Sequence, residues 1–382
     1  MNGSTLQPTS GVLAALIMAA AMTITPPLIS GDINAAAAPA AGPHKIGTAA
    51  RAHKTSAALS PQKAAMAELF LSFNRKTGVI GKTWWQGAVA LSTLETYQQA
   101  TGDTSYSAAI QDAFVPNKSG NFENQANDDT SWWGLAWLQA YELTGSRQYL
   151  SMAETDADYV HEDWDSACGG GIWWLRKPRA YKNAIANELF LELTAWLHNT
   201  IPGDKKYLRW AKAEWAWFKR SGLINSRHLV NDGLSDGCQN NRQPTWTYNQ
   251  GVILAGLAEL YKATRNSALL AEARRIATAA IRHLTVGGVL QEPCTGTRCG
   301  SKAGGVAQSF KGIFVRDLKV LAVTTKTSKF NSFFRKQARA IEDHDTGKSH
   351  QLGMFWSGPA ADLTSYSQAS AEDALVAALN LP

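Results

Sequence analysis

The sequence predicts an all-helical protein, a closed ring of six helical hairpins. Three observations carry this reading. A helix-ending turn recurs five times, its copies lie about 43 to 62 residues apart, and the segments between them alternate between wholly apolar and amphipathic. That spacing is the length of one helix, a tight turn, a second helix and a variable loop.

The first turn is Thr101-Gly102-Asp103-Thr104-Ser105-Tyr106 and the second is Thr144-Gly145-Ser146-Arg147-Gln148-Tyr149. Looser copies follow at Pro202 to Tyr207, Thr264 to Leu269 and Thr325 to Phe330. In each, Gly or Asn is expected to supply a left-handed C-terminal cap and Asp or Ser the next N-cap. The final aromatic or Leu packs the hairpin shut. The hairpins then pair helix 85–101 with 104–114, 130–143 with 147–162, 179–200 with 204–221, 246–263 with 267–284, and 305–323 with 328–342. Helices 62–76 and 367–380 remain, and pairing them across the two ends of the domain closes the ring.

The faces agree with this arrangement. Leu135 to Tyr141 and Val252 to Leu260 are apolar around nearly the whole circumference, as expected of inner helices. Segments 267–284 and 328–342 carry Arg and Lys opposite Leu269, Ala273, Ile276 and Ala280, or opposite Phe330, Phe333 and Phe334, as expected of outer ones. The Gly-rich stretches 286–292 and 350–357 allow short strands or loops.

Ahead of the ring, Val12 to Ala21 is an apolar run too short to span a bilayer, followed by small-residue cleavage sites at 35–41. Residues 1–41 therefore read as a secretory signal, though with no Lys or Arg in its leading region, and 42–60 as a flexible arm. Residues 61–382 form the helical domain, and the product is expected outside the cell or on its wall, as a monomer. No later segment is long and apolar enough to cross a membrane.

Of 382 residues, 45% are hydrophobic and 18% charged, enough to bury a large core. A net charge of +6 without a long basic run excludes nucleic acid as a partner. Four cysteines suit an oxidising compartment and allow three pairings. Closing Cys294 with Cys299 leaves Cys168 with Cys238; free buried thiols are the alternative. Their spacing is not that of a zinc site, and neither a metal nor another cofactor is expected.

The long loops gather polar and aromatic residues before the inner helices. The foremost cluster is Asn127-Asp128-Asp129 running into Trp132-Trp133. Adjacent carboxyls at a helix start serve either as caps or as a nucleophile and proton donor, and indole faces stack on sugar rings. In Trp132-Trp133 and in Trp173-Trp174, one ring of each pair is expected to face inward and the other a sugar. Tyr181, Asn183 and Gln250 are candidates for orienting hydroxyls or for satisfying helix ends.

Together, Asn127 to Trp137, Gly169 to Trp174, Tyr181 to Leu189 and Trp246 to Gly251 resemble glycoside hydrolase family 76, the endo-α-1,6-mannanase family, in order across almost the whole domain. The resemblance implies an (α/α)6 barrel and retaining hydrolysis of α-1,6-linked mannan, with Asp128 as nucleophile and Asp129 as acid/base. It also marks Asp232 as sugar-binding; Asn127 and Tyr248, which lie in the same motifs, are further candidates for substrate contact. Adjacency fits retention independently, since that mechanism wants carboxyls roughly 5 to 5.5 Å apart. The rival readings are a transglycosylase using the same Asp pair and a non-catalytic carbohydrate-binding relative.

Overall fold

The computed structural model describes residues 59–293 and 304–381. The expected signal, almost all of the arm, and Cys294 and Cys299 lie outside the described residues. Twelve helices build the ring. The inner ones are α2 (Trp84–Thr101), α4 (Asn127–Thr144), α6 (Ala184–Thr200), α8 (Thr247–Thr264), α11 (Phe310–Thr324) and α13 (Ser365–Ala377). Their outer partners are α3 (Ala108–Asn117), α5 (Arg147–His161), α7 (Lys206–Arg220), α9 (Ser267–His283), α12 (Asn331–His344) and α1 (Pro61–Phe70). Each inner helix packs on the next, α13 packs back on α2, and α1 packs on α13, so the ring closes as the six-hairpin reading requires.

A left-handed residue is present in all five turns, but of the expected Asp or Ser N-caps only Asp204 bonds the start of its helix, accepting the Lys206 and Tyr207 amides at 2.8 and 3.1 Å. Gly102, Gly145 and Gly203 take left-handed backbone at φ 74°, 69° and 77°, but the last two turns place Arg265 (59°) and Lys326 (49°) there. Asn266 instead caps α9, its side chain accepting the Ala268 amide. Tyr149, Tyr207, Leu269 and Phe330 are buried as the hairpin locks.

Several boundaries move for local reasons. Helix α1 stops at Phe70 rather than 76, because β1 (Phe73–Asn74) turns back onto β2 (Val79–Ile80). Helix α3 starts at Ala108 rather than 104, since Asp103 accepts the Ser105 amide at 3.0 Å and holds a separate turn. Helix α6 starts at Ala184, not 179, because β3 (Leu175–Arg176) pairs with β4 (Arg179–Ala180). Segment 305–323 is broken into α10 (Gly304–Ala307) and α11. The Gln86 amide donates to the Gly305 carbonyl at 2.9 Å, the acceptor that a continuous helix would give to Ser309. Of the two Gly-rich stretches, one forms the ladder of β5 (Thr285–Val286) with β6 (Val289–Leu290), while the other is a loop carrying an isolated Thr346–Leu352 bridge.

The polar residues of the inner helices have two uses. One turn into α6, α8 and α13, an amide side chain staples the incoming loop. Asn187 bonds both backbone groups of Ile172, Gln250 those of Val230, and Gln368 the Leu352 amide. Lower down, Glu95, Glu192, Asp317 and Asp373 surround Arg316, which lies 3.4 Å from Asp373 and 3.7 Å from Asp317. Burial raises the pKa of all four carboxyls, and of Glu188 and Glu372 beside them.

Candidate active site

Because every hairpin returns its chain through a long loop, the inner helices begin at the same rim of the ring. Asp128 and Asp129 occupy the first turn of α4, with Ala126 as N-cap residue. Segment 125–127 is stitched to the loop ahead of α6. The Asn127 amide bonds the Trp174 carbonyl at 2.8 Å, the Arg176 amide bonds the Gln125 carbonyl at 3.0 Å, and Ala126 bridges to Leu175. This stitching brings the Trp174 side chain against Asp128.

The two acids have different surroundings. Burial pushes the Asp128 carboxyl up to about 7, opposed by the backbone N–H groups of Asp129 and Asp128 at the helix start and by a hydrogen bond from Trp174. Its Oδ1 is buried without a hydrogen-bond partner. Asp129 receives one bond, from Asn124 Nδ2 at 2.9 Å. Burial and then the charge of Asp128 raise it well above the usual carboxylate range. The pair thus holds one proton more readily than two carboxylates in water, and Asp128 is the member better prepared to carry the negative charge.

Asp232 joins them from the loop before α8. Tyr181 donates its hydroxyl to Asp232 Oδ2 and accepts from Asn241 Nδ2 at 2.7 Å. Tyr181 sits at φ 61°, and its ring lies against Gly233, where no side chain has room. Burial raises the pKa of Asp232, opposed by Tyr181 and by Trp246. The charges of Asp232, Asp128 and Glu188 all act on Tyr248, which stacks on Phe310 at 3.8 Å. Asp128, Asp129, Asp232, Tyr181, Tyr248 and Trp174 therefore form one group at one rim.

The other candidates have structural posts. Trp133 is fully buried among Trp84, Phe122 and Trp137, with ring centroids at 4.8, 5.1 and 5.5 Å. Trp132 is 3% exposed and stacks on Trp85, so neither indole of that pair offers a free face. Trp173 and Trp174 are instead both partly exposed; Trp173 donates its N–H to Asp165 at 2.7 Å. Asn127 is buried and donates to Asp163 and to the Trp173 carbonyl. Asn183 caps α6, and Gln250 spends its amide on Val230 and Trp246. For these two the helix-end alternative is the one observed.

Sequence reasoning missed Asn124 and Asn241, and met Trp246 and Lys182 only inside motifs, without a role for either. Lys182 is 2% exposed, and its ammonium donates to Asp165 and to the carbonyls of Ala167, Gly170 and Gly171, at 2.7 to 3.0 Å. It fastens the Gly-rich loop that carries Trp173 and Trp174. A Cys168–Cys238 disulfide ties that loop to the loop of Asp232 and Asn241. No cluster able to hold a metal ion and no helix able to cross a membrane occurs among the described residues.

Comparison with known proteins agrees with this architecture. A putative mannan endo-1,6-alpha-mannosidase of Schizosaccharomyces pombe is 31% identical over 207 residues, 49% of this chain and 47% of the relative. The mannan endo-1,6-alpha-mannosidase DCW1 of Eremothecium gossypii is 26% identical over 72% of this chain and 66% of its own length. The chain thus spans about half to two thirds of these relatives. The alpha-1,6-mannanase GH76A of Salegentibacter sp. HEL1_6 superposes with a TM-score of 0.74 at 24% identity, covering 83% of this chain and 98% of that one. Its inactive variant, substituted at two consecutive aspartates and bound to alpha-1,6-mannotetrose, gives 0.73 at 25% identity, covering 83% of this chain and 97% of that one. The profile of glycosyl hydrolase family 76 matches residues 56–381, and the chain belongs to that family.

Proposed function

We propose that this protein is a secreted, endo-acting, retaining glycosidase of α-1,6-linked mannan. Asp129 protonates the leaving glycosidic oxygen while the Asp128 carboxylate attacks the anomeric carbon, forming a glycosyl ester and releasing one half of the chain. Asp129, now ionised, takes a proton from water, whose oxygen displaces Asp128 and restores the acid.

The observation that carries this reading is the asymmetry of the pair. Asp128 meets helix N–H groups and an indole that favour its anion, whereas Asp129 has a single amide contact and a like charge beside it. Asn124 donates to Asp129 Oδ2, which leaves the other oxygen for the proton. Asp232, gripped by Tyr181, is suited to bind the hydroxyls of the sugar under attack, with Tyr248 and Trp174 as its walls. Replacement of two consecutive aspartates in the inactive Salegentibacter mannanase variant, which is bound to alpha-1,6-mannotetrose, accords with this assignment.

The test is linear α-1,6-mannan followed by proton NMR. The first product should be the α anomer, and Asp128→Asn or Asp129→Asn should each lower kcat/KM by roughly a thousandfold or more. Initial β product, or full activity in either variant, overturns the assignment. Products longer than the starting oligosaccharide would mark sugar, not water, as the acceptor. N-terminal sequencing of protein recovered from culture medium checks export.

A further inference from the structure

The outer wall of the ring carries a charge pattern that hydrolysis of a neutral mannan does not use. Residues 265–284 and 325–344, which form α9, α12 and the turns before them, contain nine Lys and Arg against three Asp and Glu, in a chain whose net charge is only +6. No run of cations appears in the sequence because the fold assembles them from separate elements. Arg227 comes from the loop after α7, Arg274, Arg275, Arg282 and His283 from α9, and Lys329 from the turn before α12. They line a groove of about 390 Å³, and all six are exposed.

The nearby acid is already engaged: Glu272 pairs with Arg275 and lies 3.7 Å from His228. Arg227, Arg274, Arg282 and Lys329 have no acidic partner among the described residues. Arg274 and Arg282 stand two turns apart on one helix face, with Thr278 between them. A cluster of like charges without counter-charges raises the energy of the fold and lowers it again only when an anion enters.

The groove leads back to the active site. Arg227 also lines a second depression of about 410 Å³, whose wall includes Asn231, Arg242 and Gln243. Asn231 is held to the Gln243 carbonyl at 2.6 Å and immediately precedes Asp232. A track thus runs from the Asp232 loop over Arg227 to the basic groove. Neither depression is lined by Trp, Tyr or Phe, so neither is built to stack a sugar ring. Four arginines against one lysine suit bidentate contact with a phosphate-type oxyanion.

We propose that the groove is an anion-binding exosite that captures phosphate-ester groups carried by the mannan and holds that chain in line with the active site. The proposal rests on the mannanase reading for its substrate class. It is tested with the full chain and the variant Arg274→Gln/Arg282→Gln/Lys329→Gln, on neutral α-1,6-mannotetraose, neutral α-1,6-mannan, the same mannan phosphorylated, and the same mannan carboxymethylated. For the unaltered protein, KM on phosphorylated mannan should be about tenfold lower than on neutral mannan at about 20 mM NaCl, and the gap should close at about 500 mM. The triple variant should lose the gap while keeping kcat and KM on both neutral substrates.

Equal KM for phosphorylated and neutral mannan at low salt overturns the exosite. An equal preference for carboxymethylated mannan overturns the phosphate ester as its ligand. Should no mannan be cleaved, the mannanase reading fails. The exosite is then judged by calorimetric binding of phosphorylated mannan, which must be salt-sensitive and lost in the triple variant. If that variant does not fold, the salt dependence of the unaltered protein decides.

Discussion

Replacing Gly233 by Ala tests how the Asp232 loop is set. Gly233 has no left-handed φ, so its backbone accepts alanine and only space is at issue. A Cβ there would lie 2.4 Å from the Tyr181 hydroxyl oxygen, 2.5 Å from Cζ and 2.6 Å from Cε2. Ordinary contacts are about 3.5 Å or more, so the ring must withdraw by about 1 Å. That motion breaks the hydrogen bond to Asp232 and loosens the one from Asn241. Loss of a hydrogen bond to a charged group is worth about 1.5 to 3 kcal/mol. At about 1.4 kcal/mol per decade, kcat/KM on α-1,6-mannan should fall roughly 10- to 100-fold. The assay is reducing-sugar release, with a thermal melt to show that the barrel persists. A double-mutant cycle with Tyr181→Ala isolates the route, because Gly233→Ala should cost little once the ring is gone. Full activity of Gly233→Ala, or simple additivity in the cycle, would refute the reasoning.

Three further outcomes follow from the same geometry. The rate should rise with pH as Asp128 ionises near its raised value of about 7 and fall as Asp129 loses its proton; because Asp129 is still protonated when Asp128 ionises, the like charge acts on Asp129, so Asp128→Asn should move the Asp129 titration, read by carboxyl NMR, to lower pH, and an unmoved titration would deny the coupling. The buried Glu95, Glu192 and Glu372 keep protons in the folded state that the unfolded chain releases near its ordinary value. Stability should therefore fall as pH rises from about 4.5 towards their raised values, and Glu372→Gln should flatten the dependence of Tm on pH. Removing the Cys168–Cys238 bridge frees a 70-residue loop, worth about 4 kcal/mol in chain entropy. Cys168→Ser/Cys238→Ser should lower Tm by several degrees, and an unchanged melt would show that the loops are held without it.

The ring was legible because its signals are local. Gly102, Gly145 and Gly203 mark turns through their own backbone freedom, and the unbroken apolar surface of α8 declares an inner helix without reference to any neighbour. The catalytic candidates Asp128 and Asp129 were legible for the same reason, as adjacent acids at a helix start. What failed depends on distant partners. Trp132 and Trp133 read as possible sugar platforms, since helical periodicity gives a direction but not what lies there, and Trp85, Phe122 and Trp84 occupy it. The grip of Tyr181 on Asp232 joins positions 51 apart through a loop register that no short pattern encodes. Helix α6 was extended into 179–183, whereas the pairing of β3 with β4, which no local pattern declares, delays its start to Ala184. The same limit hid the basic groove, whose cations come from three places in the chain.

The packing of α13 on both α1 and α2 has a consequence for biogenesis. A stave from the far end of the domain seals the first two helices, so the seam is covered only after some three hundred residues have been made. Until then α2 and α11 expose apolar flanks to water, and the growing chain has nothing of its own to cover them. The last inner helix therefore acts as the closing hoop of a cask. Chains stalled before Ser365 should be clients of chaperones rather than smaller working enzymes, and folding should be slow, as for any topology whose decisive contact spans the whole sequence.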